Sequence, residues 1–312
     1  MTAQSVDATV VDGSRLGQEY VRRFRLVMSR DKLGFVAVVG AAFLVLVAVL
    51  APLISPADPT MLVGAARLGP SWNHLLGTDQ LGRDVLSRTI WGARHTLVTA
   101  LLSTAFASVL GFPVGIAAGY IAKWPSGVVM RGMDVLLAFP GLLLALVVVT
   151  VLGPGFGTVV IAVGISYVPI FARVVYGSTR AIVFQDYVAA ARVVGCRPLR
   201  IMTRHVFPVL ASEVLVLVSS AIGWTTLLAA TLNFLGFGVQ PPGADWGADL
   251  AAGGQHLADA WWIAAAPGVA LTLAILVSNY LGDFFASVLD TDRLRHRHVK
   301  IQDAMTMLTG EH

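Results

Sequence analysis

Long apolar runs, separated by short polar segments, dominate the pattern of the chain. Six of these runs approach the roughly 20 residues with which a helix crosses about 30 Å of hydrocarbon. In lipid the backbone must satisfy its own hydrogen bonds, and the runs lack the alternation typical of barrel strands. The sequence therefore predicts an all-α, polytopic membrane protein with about six transmembrane helices. The predicted spans are 34–54, 96–121, 133–152, 158–176, 209–232 and 261–281, the last of them open to extension as far as 288.

Basic residues are distributed unevenly between the two sides that these spans define. Of the 22 Lys and Arg residues, all but Arg67, Arg83, Arg88 and Arg94 fall in or next to the two tails, the short loop after the second span and the long loop after the fourth span. Segments of membrane proteins that face the cytoplasm carry an excess of Lys and Arg. We therefore expect both termini and the long loop to be cytoplasmic, with the first span acting as an uncleaved anchor.

Composition narrows the possible functions. Charged residues make up only 13% of the chain and apolar residues 56%, whereas soluble domains average roughly 25% charged residues. The net charge of +4 is scattered between the apolar runs rather than clustered as in a nucleic-acid binder, so we expect no nucleic-acid partner. The single cysteine, Cys196, excludes an intrachain disulfide.

Motifs for catalysis or cofactor binding are not visible in the chain. It has no Gly-rich phosphate loop ending in Lys-Ser/Thr and no cluster of His, Cys, Asp or Glu with the spacing of metal ligands. We therefore expect a non-catalytic chain that holds no cofactor or metal of its own. An intramembrane enzyme would need a nucleophile–base pair or metal ligands within the spans. A stand-alone secondary carrier, which remains an alternative, would need inverted repeats and charges at the midplane.

The long loop after the fourth span predicts two short helices on the cytoplasmic face. Asp186 is expected to cap a first helix that begins near Tyr187, and the following alanines favour a helix with a flat surface. Gly195 suits a left-handed turn that ends this helix, and Pro198 suits the first turn of the next one. On these features alone, the pair is equally typical of an interfacial helix pair resting on lipid headgroups.

The spacing within this loop resembles the EAA motif of importer-type ABC permeases. Gly195 follows Ala191 by four residues and Pro208 follows Gly195 by thirteen, while Ala189 stands where the motif has an acidic residue. In that family the loop is a coupling helix that docks in a groove of the cytoplasmic ATPase. The resemblance implies an ATPase-coupling role for Tyr187, Ala189, Ala190, Ala191, Arg192, Gly195 and Pro208.

Further segments are similar to the C-type permease of dipeptide and oligopeptide importers, and together they cover about 31–295. The segment before the second span also has a local prediction: Thr78 or Asp79 caps a helix, and Asp84 and Arg88 lie on one face of it. The segments that carry the resemblance are 74–97, 131–145, 232–250, 279–283 and 289–295.

The resemblance implies a type I ABC importer permease fold in the plasma membrane of a bacterium. It also implies a peptide substrate and four partners: a second homologous permease, two cytoplasmic ATPase subunits and an extracytoplasmic substrate-binding protein. ATP and Mg would be bound by the ATPase subunits. Importers of nickel or metal chelates share these motifs, so nickel or a metal chelate is an alternative substrate. The expected regions are a tail (1–32), a first helix with an outer segment (33–91), a permease core (92–289) with a coupling loop (177–208), and a second tail (290–312).

Ionisable or polar residues within spans are functional candidates by default, because burying them in lipid is costly. Asp134 opens the third span close to Arg131, Glu213 lies about one turn into the fifth span with Arg204 nearby, and Asn233 follows that span. We assign Asp134, Glu213 and Asn233 to the translocation path.

Overall fold

The computed structural model describes residues 32–121 and 124–309, with side-chain environments as far as 288. Its described part is helical, apart from turns and two isolated β-bridges, Leu62–Arg83 and Thr78–Asp84. The elements are α1 (Lys32–Ile54), α2 (Val85–Ile121), α3 (Trp124–Leu137), α4 (Gly141–Leu152), α5 (Phe156–Val183), α6 (Asp186–Val193), α7 (Pro198–Ile201), a π-helical turn (Met202–Val206), α8 (Phe207–Phe234), α9 (Trp246–Gly254) and α10 (Trp262–Thr309).

Five of the described segments are long and apolar enough to cross a membrane, and a sixth span is formed if α3 and α4 count as one. This confirms the prediction of an all-α chain with about six spans. The five segments are Lys32–Ile54, Val85–Ile121, Phe156–Val183, Pro198–Phe234 and Trp262–Val288.

The third predicted span is broken rather than continuous. Helices α3 and α4 meet at 92° across a gap between Leu137 and Gly141. Pro140, with ψ 128°, lies in this gap. Proline has no N–H to donate and disfavours the helical conformation of the residue before it. The expectation of one unbroken helix over 133–152 was therefore wrong, because the apolar pattern continues through the proline while the backbone does not.

The core of the protein is built on the long contact between α2 and α5. Gly111, Gly115 and Gly119 repeat every four residues on the face of α2 that meets α5. A Cβ at any of the three positions would lie within 2.9 Å of an atom of α5, such as Cβ of Phe171 next to Gly111. Small residues at this spacing allow two membrane helices to approach closely. Further helices pack around this pair, with α8 against α2 and α10 and with α1 against α10.

The ends of the chain correspond only in part to the predicted tails. Of the predicted N-terminal tail, only Lys32 lies among the described residues. At the other end, α10 continues as a helix from Trp262 to Thr309, so no helix end separates the predicted core from the predicted tail at 290. The region boundaries themselves stay predictions.

Candidate functional site

The inner loop, residues 177–208, forms the helix–turn–helix that the sequence predicts. Its first helix is α6, and Asp186 is the first residue of that helix rather than its cap, because Gln185 takes the capping position without a side-chain hydrogen bond. Gly195 has φ +83°, in the left-handed region. The amide of Cys196 donates to the carbonyl of Ala191 at 3.0 Å, which is the pairing of a Schellman turn. Pro198 then begins α7.

Two apolar side chains attach the inner loop to the membrane helices. Val188 from α6 and Ile201 from α7 are completely buried. They belong to a cluster with residues of α2, α5 and α8, so the loop is packed on three spans at once. The other members of the cluster are Val175, Val183, Val206 and Leu210, with Phe112, Ile116, Tyr120, Ile182, Ala191, Cys196 and Val214 at its edge.

The opposite face of the inner loop exposes small and apolar residues. Val193 is 88% exposed and Val194 82% exposed, and no atom lies within 4 Å of a Cβ placed on Gly195. Large exposed apolar groups at an aqueous face mark interaction sites. Sequence reasoning did not single out Val193 or Val194, although two β-branched residues at the end of a helix (before Gly195) are a signal that could have found them.

The seven residues predicted to couple to the ATPase divide between exposed and anchored positions. Arg192 is exposed, and its guanidinium lies over the Tyr120 ring at 5.0 Å. This contact connects α6 to the end of α2. Ala191 is half-buried at the edge of the anchoring cluster. The exposed members of the set are Tyr187, Ala189, Ala190, Arg192, Gly195 and Pro208.

The three predicted path residues lie apart from one another. Asp134 pairs with Arg173 of α5 at 2.9 Å, not with Arg131 as the sequence suggested. Glu213 accepts a hydrogen bond from the Ser178 hydroxyl at 2.6 Å, which connects α8 to α5. Asn233 is buried at the end of α8. Their role in the path stays a prediction.

At the end of the fold opposite the inner loop, an outer cluster is formed by the buried residues Asp79, Arg83 and Arg88 together with Asp249, whose side chain is 12% exposed. The Arg83 Nε donates to Asp79 at 2.6 Å, and the Arg88 Nη2 pairs with Asp249 of α9. The Nε of Arg88 also donates to Asp249, at 3.1 Å, while Nη1 and Nη2 donate to backbone carbonyls from two separate segments, including the carbonyl of Pro59 at 3.0 Å. Arg88 therefore joins α2 to both outer connections.

Local structure around the outer cluster differs from the sequence-based expectation. Asp84, rather than Thr78 or Asp79, caps α2: its Oδ2 accepts from the Ser87 amide at 2.8 Å. The hydroxyl of Thr78 instead donates to the Ala65 carbonyl at 2.7 Å. Asp84 and Arg88 thus have separate partners, although both belong to the first turns of α2.

Burial shifts the pKa of two carboxyl groups, that of Asp245 at the start of α9 and that of Asp249 within it. It raises the pKa of Asp249 to about 6, against the lowering effect of the Arg88 guanidinium. It also raises the pKa of Asp245, which caps α9, against hydrogen bonds from the Thr96 hydroxyl and two backbone amides. Desolvation disfavours the ionised carboxylate, so the outer side of the fold contains groups that titrate above their ordinary range.

Among the residues that the structure describes, no group of three or more His, Cys, Asp or Glu side chains is arranged to hold a metal ion.

Known proteins similar to this chain are membrane components of importers. A peptide transport system permease protein of Brucella suis is 40% identical over 247 residues, which is 79% of this chain and 83% of that protein. The glutathione transport system permease protein GsiD of Pectobacterium atrosepticum is 38% identical over 275 residues, 88% of this chain and 90% of that protein. A similar protein, GsiD of an Escherichia coli strain, is 38% identical over 274 residues, 87% of this chain and 89% of that protein.

A comparison with solved structures shows a similar fold. A chain from inward-facing conformations of the MetNI methionine ABC transporter has a TM-score of 0.54 and 16% identity, covering 64% of this chain and 96% of its own length. This confirms the ABC importer permease fold. Residues 111–295 match the family described as binding-protein-dependent transport system inner membrane component. The chain therefore belongs to this family, the multi-pass, non-catalytic permease subunits of ABC importers, as its motifs predicted.

Proposed function

We propose that this chain is one of two permease subunits that together form the translocation path of an ATP-driven peptide importer. Two relatives named above are permeases of peptide and of glutathione transport systems, and glutathione is itself a small peptide. The alignments with these relatives cover more than three quarters of the chain. A substrate with a peptide backbone is the class that fits both names.

The observation that carries the proposal is the two-sided inner loop. Val188 and Ile201 fix one side to the spans, and the other side exposes Val193, Val194 and Leu199 to 68% or more. A cytoplasmic ATPase subunit that covers these residues would remove apolar surface from water, at roughly 25 cal/mol per Å². The flat alanine surface around Ala189 and Ala190 suits a groove because it lacks bulky side chains.

The assembly that follows has four partners for this chain. These are a second homologous permease, two cytoplasmic ATPase subunits that bind ATP and Mg, and an extracytoplasmic binding protein that delivers the peptide. Both termini and the inner loop face the cytoplasm, in agreement with the distribution of Lys and Arg along the chain. The membrane is the plasma membrane of a bacterium, and specificity for one peptide rests largely with the binding protein.

Alternating access of the path is the proposed mechanism. ATP binding closes the ATPase dimer, and each inner loop moves with the ATPase surface on which it rests. Because Val188 and Ile201 are packed in the same cluster as residues of α2, α5 and α8, the loop moves the ends of these helices with it. A rigid-body rotation of packed helices is a common form of such a transition. Asp134, Glu213 and Asn233 are the proposed path residues within this mechanism.

The change Gly195→Pro tests the role of the inner loop. Proline fixes φ near −65°, whereas Gly195 has φ +83°, so the turn between α6 and α7 is lost. We expect the ATPase subunits to co-purify with the wild-type chain, and we expect their loss or an uncoupled ATPase activity in the variant. The measurement is affinity purification from native membranes, followed by an ATPase assay with and without the binding protein.

Gly195→Asn is the matched control, because asparagine tolerates the left-handed conformation and no atom lies within 4 Å of a Cβ at this position. It should retain both the ATPase subunits and coupled hydrolysis. A wild-type chain that purifies without any ATPase and still transports substrate would overturn the importer assignment in favour of a secondary carrier.

A further inference from the structure

An exposed ion pair lies within the membrane-spanning part of the chain. The side chains of Asp134 in α3 and Arg173 in α5 are 46% and 51% exposed. Asp134 lies ten residues after the start of α3 and Arg173 lies ten residues before the end of α5. At 1.5 Å per residue, Arg173 is about 15 Å from the end of the membrane-spanning helix α5 on the side of the inner loop, and Asp134 lies beside it in the broken span of α3 and α4. The pair is therefore at membrane depth and points away from the chain's own core.

A charged pair at this depth does not face lipid without a large cost. Charged side chains in spans face the interior of a bundle or a water-filled cavity. Val135 next to Asp134 is itself 60% exposed, and Val174 next to Arg173 is 37% exposed, so this surface is not covered within the chain. A water-filled path shared with another subunit would give this exposed pair the surroundings that it needs. The ion pair thus marks the face of α3 and α5 that borders the path.

The guanidinium of Arg173 is only partly used by Asp134. Its Nη1 lies 2.9 Å from one carboxylate oxygen and donates to the other at 3.2 Å. For Nη2 and Nε, no acceptor is found among the residues whose side chains the structure describes. These two nitrogens form a planar fork that matches the two oxygens of a carboxylate. Gly177, one turn further along α5, has no atom within 4 Å of its Cβ position, which leaves room beside the fork.

We propose that Arg173, held in place by Asp134, is a subsite on the translocation path that binds the C-terminal carboxylate of the passing peptide. Asp134 fixes the guanidinium through Nη1 and neutralises part of its charge, so that the carboxylate is bound and then released. Arg173 is the binding residue and Asp134 is a positioning residue. This inference rests on the proposed function, because it needs a peptide in a path lined by this chain.

The test uses the full importer in liposomes, with its ATPase subunits and binding protein. The probes are two synthetic tripeptide pools without Asp or Glu, one with free C-terminal carboxylates and one with C-terminal amides. Arg173→Gln should lower import of the acid pool by about ten- to a hundredfold, the effect of losing a charged hydrogen bond, and leave import of the amide pool unchanged. Because each pool is compared between wild type and variant, any preference of the binding protein cancels.

Three further variants distinguish a subsite that binds the carboxylate from an ion pair that only holds α3 and α5 together. Arg173→Lys should retain an intermediate rate for the acid pool, since lysine keeps the charge but not the fork. Asp134→Asn should affect the acid pool less than Arg173→Gln does. The exchanged pair, Asp134→Arg with Arg173→Asp, should not restore import. Arg94→Gln, which removes an exposed arginine near the outer end of α2, is the control that should change neither pool.

Several outcomes would overturn the subsite. Equal loss of both pools in Arg173→Gln, or full recovery in the exchanged pair, would show that the ion pair acts as a latch between α3 and α5. Failure of the wild-type importer to take up either pool would reject the peptide substrate itself, and the subsite with it. Co-purification of the ATPase subunits, measured in each case, shows whether the assembly has been kept.

Discussion

The four charged side chains of the outer cluster are paired within the chain, whereas the inner loop is held by two apolar side chains and exposes most of the others. Arg88 alone contacts Asp249 and three backbone carbonyls from distant segments. The inner loop has its anchors Val188 and Ile201, and its exposed residues have no comparable set of contacts. The outer cluster thus finds its partners within the chain, whereas Val193 and Val194 of the inner loop stay exposed.

This difference affects which changes harm folding and which harm assembly. A buried charge that loses its partner costs more than the original pair contributed. An exposed apolar residue, by contrast, affects the free energy of unfolding little, although its loss weakens a contact with another subunit. The outer and inner regions should therefore respond differently to matched substitutions.

Arg88→Met should cause the largest loss of stability, about 3–5 kcal/mol, because it leaves Asp249 buried without its cation. The measurement is the thermal unfolding midpoint of the purified chain at pH 7. Arg67→Met is the control, since Arg67 pairs with Asp259 at 2.6 Å but both side chains are about half exposed, and such pairs contribute roughly 0–1 kcal/mol. Equal shifts in the two variants would contradict the distinction between buried and exposed pairs.

Asp249→Asn should flatten the dependence of stability on pH. The folded chain raises the pKa of Asp249 from 3.8 to about 6, so folding favours the protonated carboxyl. The contribution of this protonation to the free energy of unfolding is about 3 kcal/mol at most. It is fully present below pH 3.8 and is lost as the pH rises through about 6. Unfolding midpoints between pH 4 and pH 7 measure it. Asp259→Asn, at a half-exposed position, should keep the wild-type dependence of stability on pH. The same dependence in Asp249→Asn would contradict the raised pKa of Asp249.

Val188→Ala should release the inner loop while leaving the outer cluster intact. Loss of two buried methyl groups and the resulting cavity destabilise the docking of α6 by about 2 kcal/mol. Amide hydrogen exchange should become faster in α6 but not in α9. Val193→Ala is the matched control: the residue is 88% exposed, so exchange should not change, whereas retention of the ATPase subunits should weaken. Faster exchange in both variants would mean that α6 is not anchored through Val188.

Sequence reasoning identified the helices well, because an apolar run of about 20 residues has few alternatives in a membrane. It also identified the inner helix–turn–helix, since Gly195 and Pro198 have local conformational preferences that hardly depend on the rest of the fold. It was wrong about the third span, where an unbroken apolar pattern concealed the break at Pro140. It missed Val188 and Ile201 as anchors, because in sequence they look like any other apolar residues of the loop.

Partners of charged residues were the least predictable feature. Nearby Arg131 and Arg204 were the natural candidates to pair with Asp134 and Glu213, but the structure brings in Arg173 and Ser178 from α5. These contacts join residues 39 and 35 positions apart. Their formation depends on how α3 and α8 pack on α5, which local patterns do not contain.

Local features of the sequence were enough to show that this chain lies in a membrane with about six spans, which family it belongs to and where it forms a helix–turn–helix. These properties follow from hydrophobic length and from residues such as Gly195, whose effect is local. The tertiary structure alone decided which charges are buried together in the outer cluster and which face of the inner loop is exposed. It also decided that Arg173 meets Asp134. These features depend on the close approach of α2 and α5 and on the packing of the other helices around them, and such packing joins residues that are far apart in the chain.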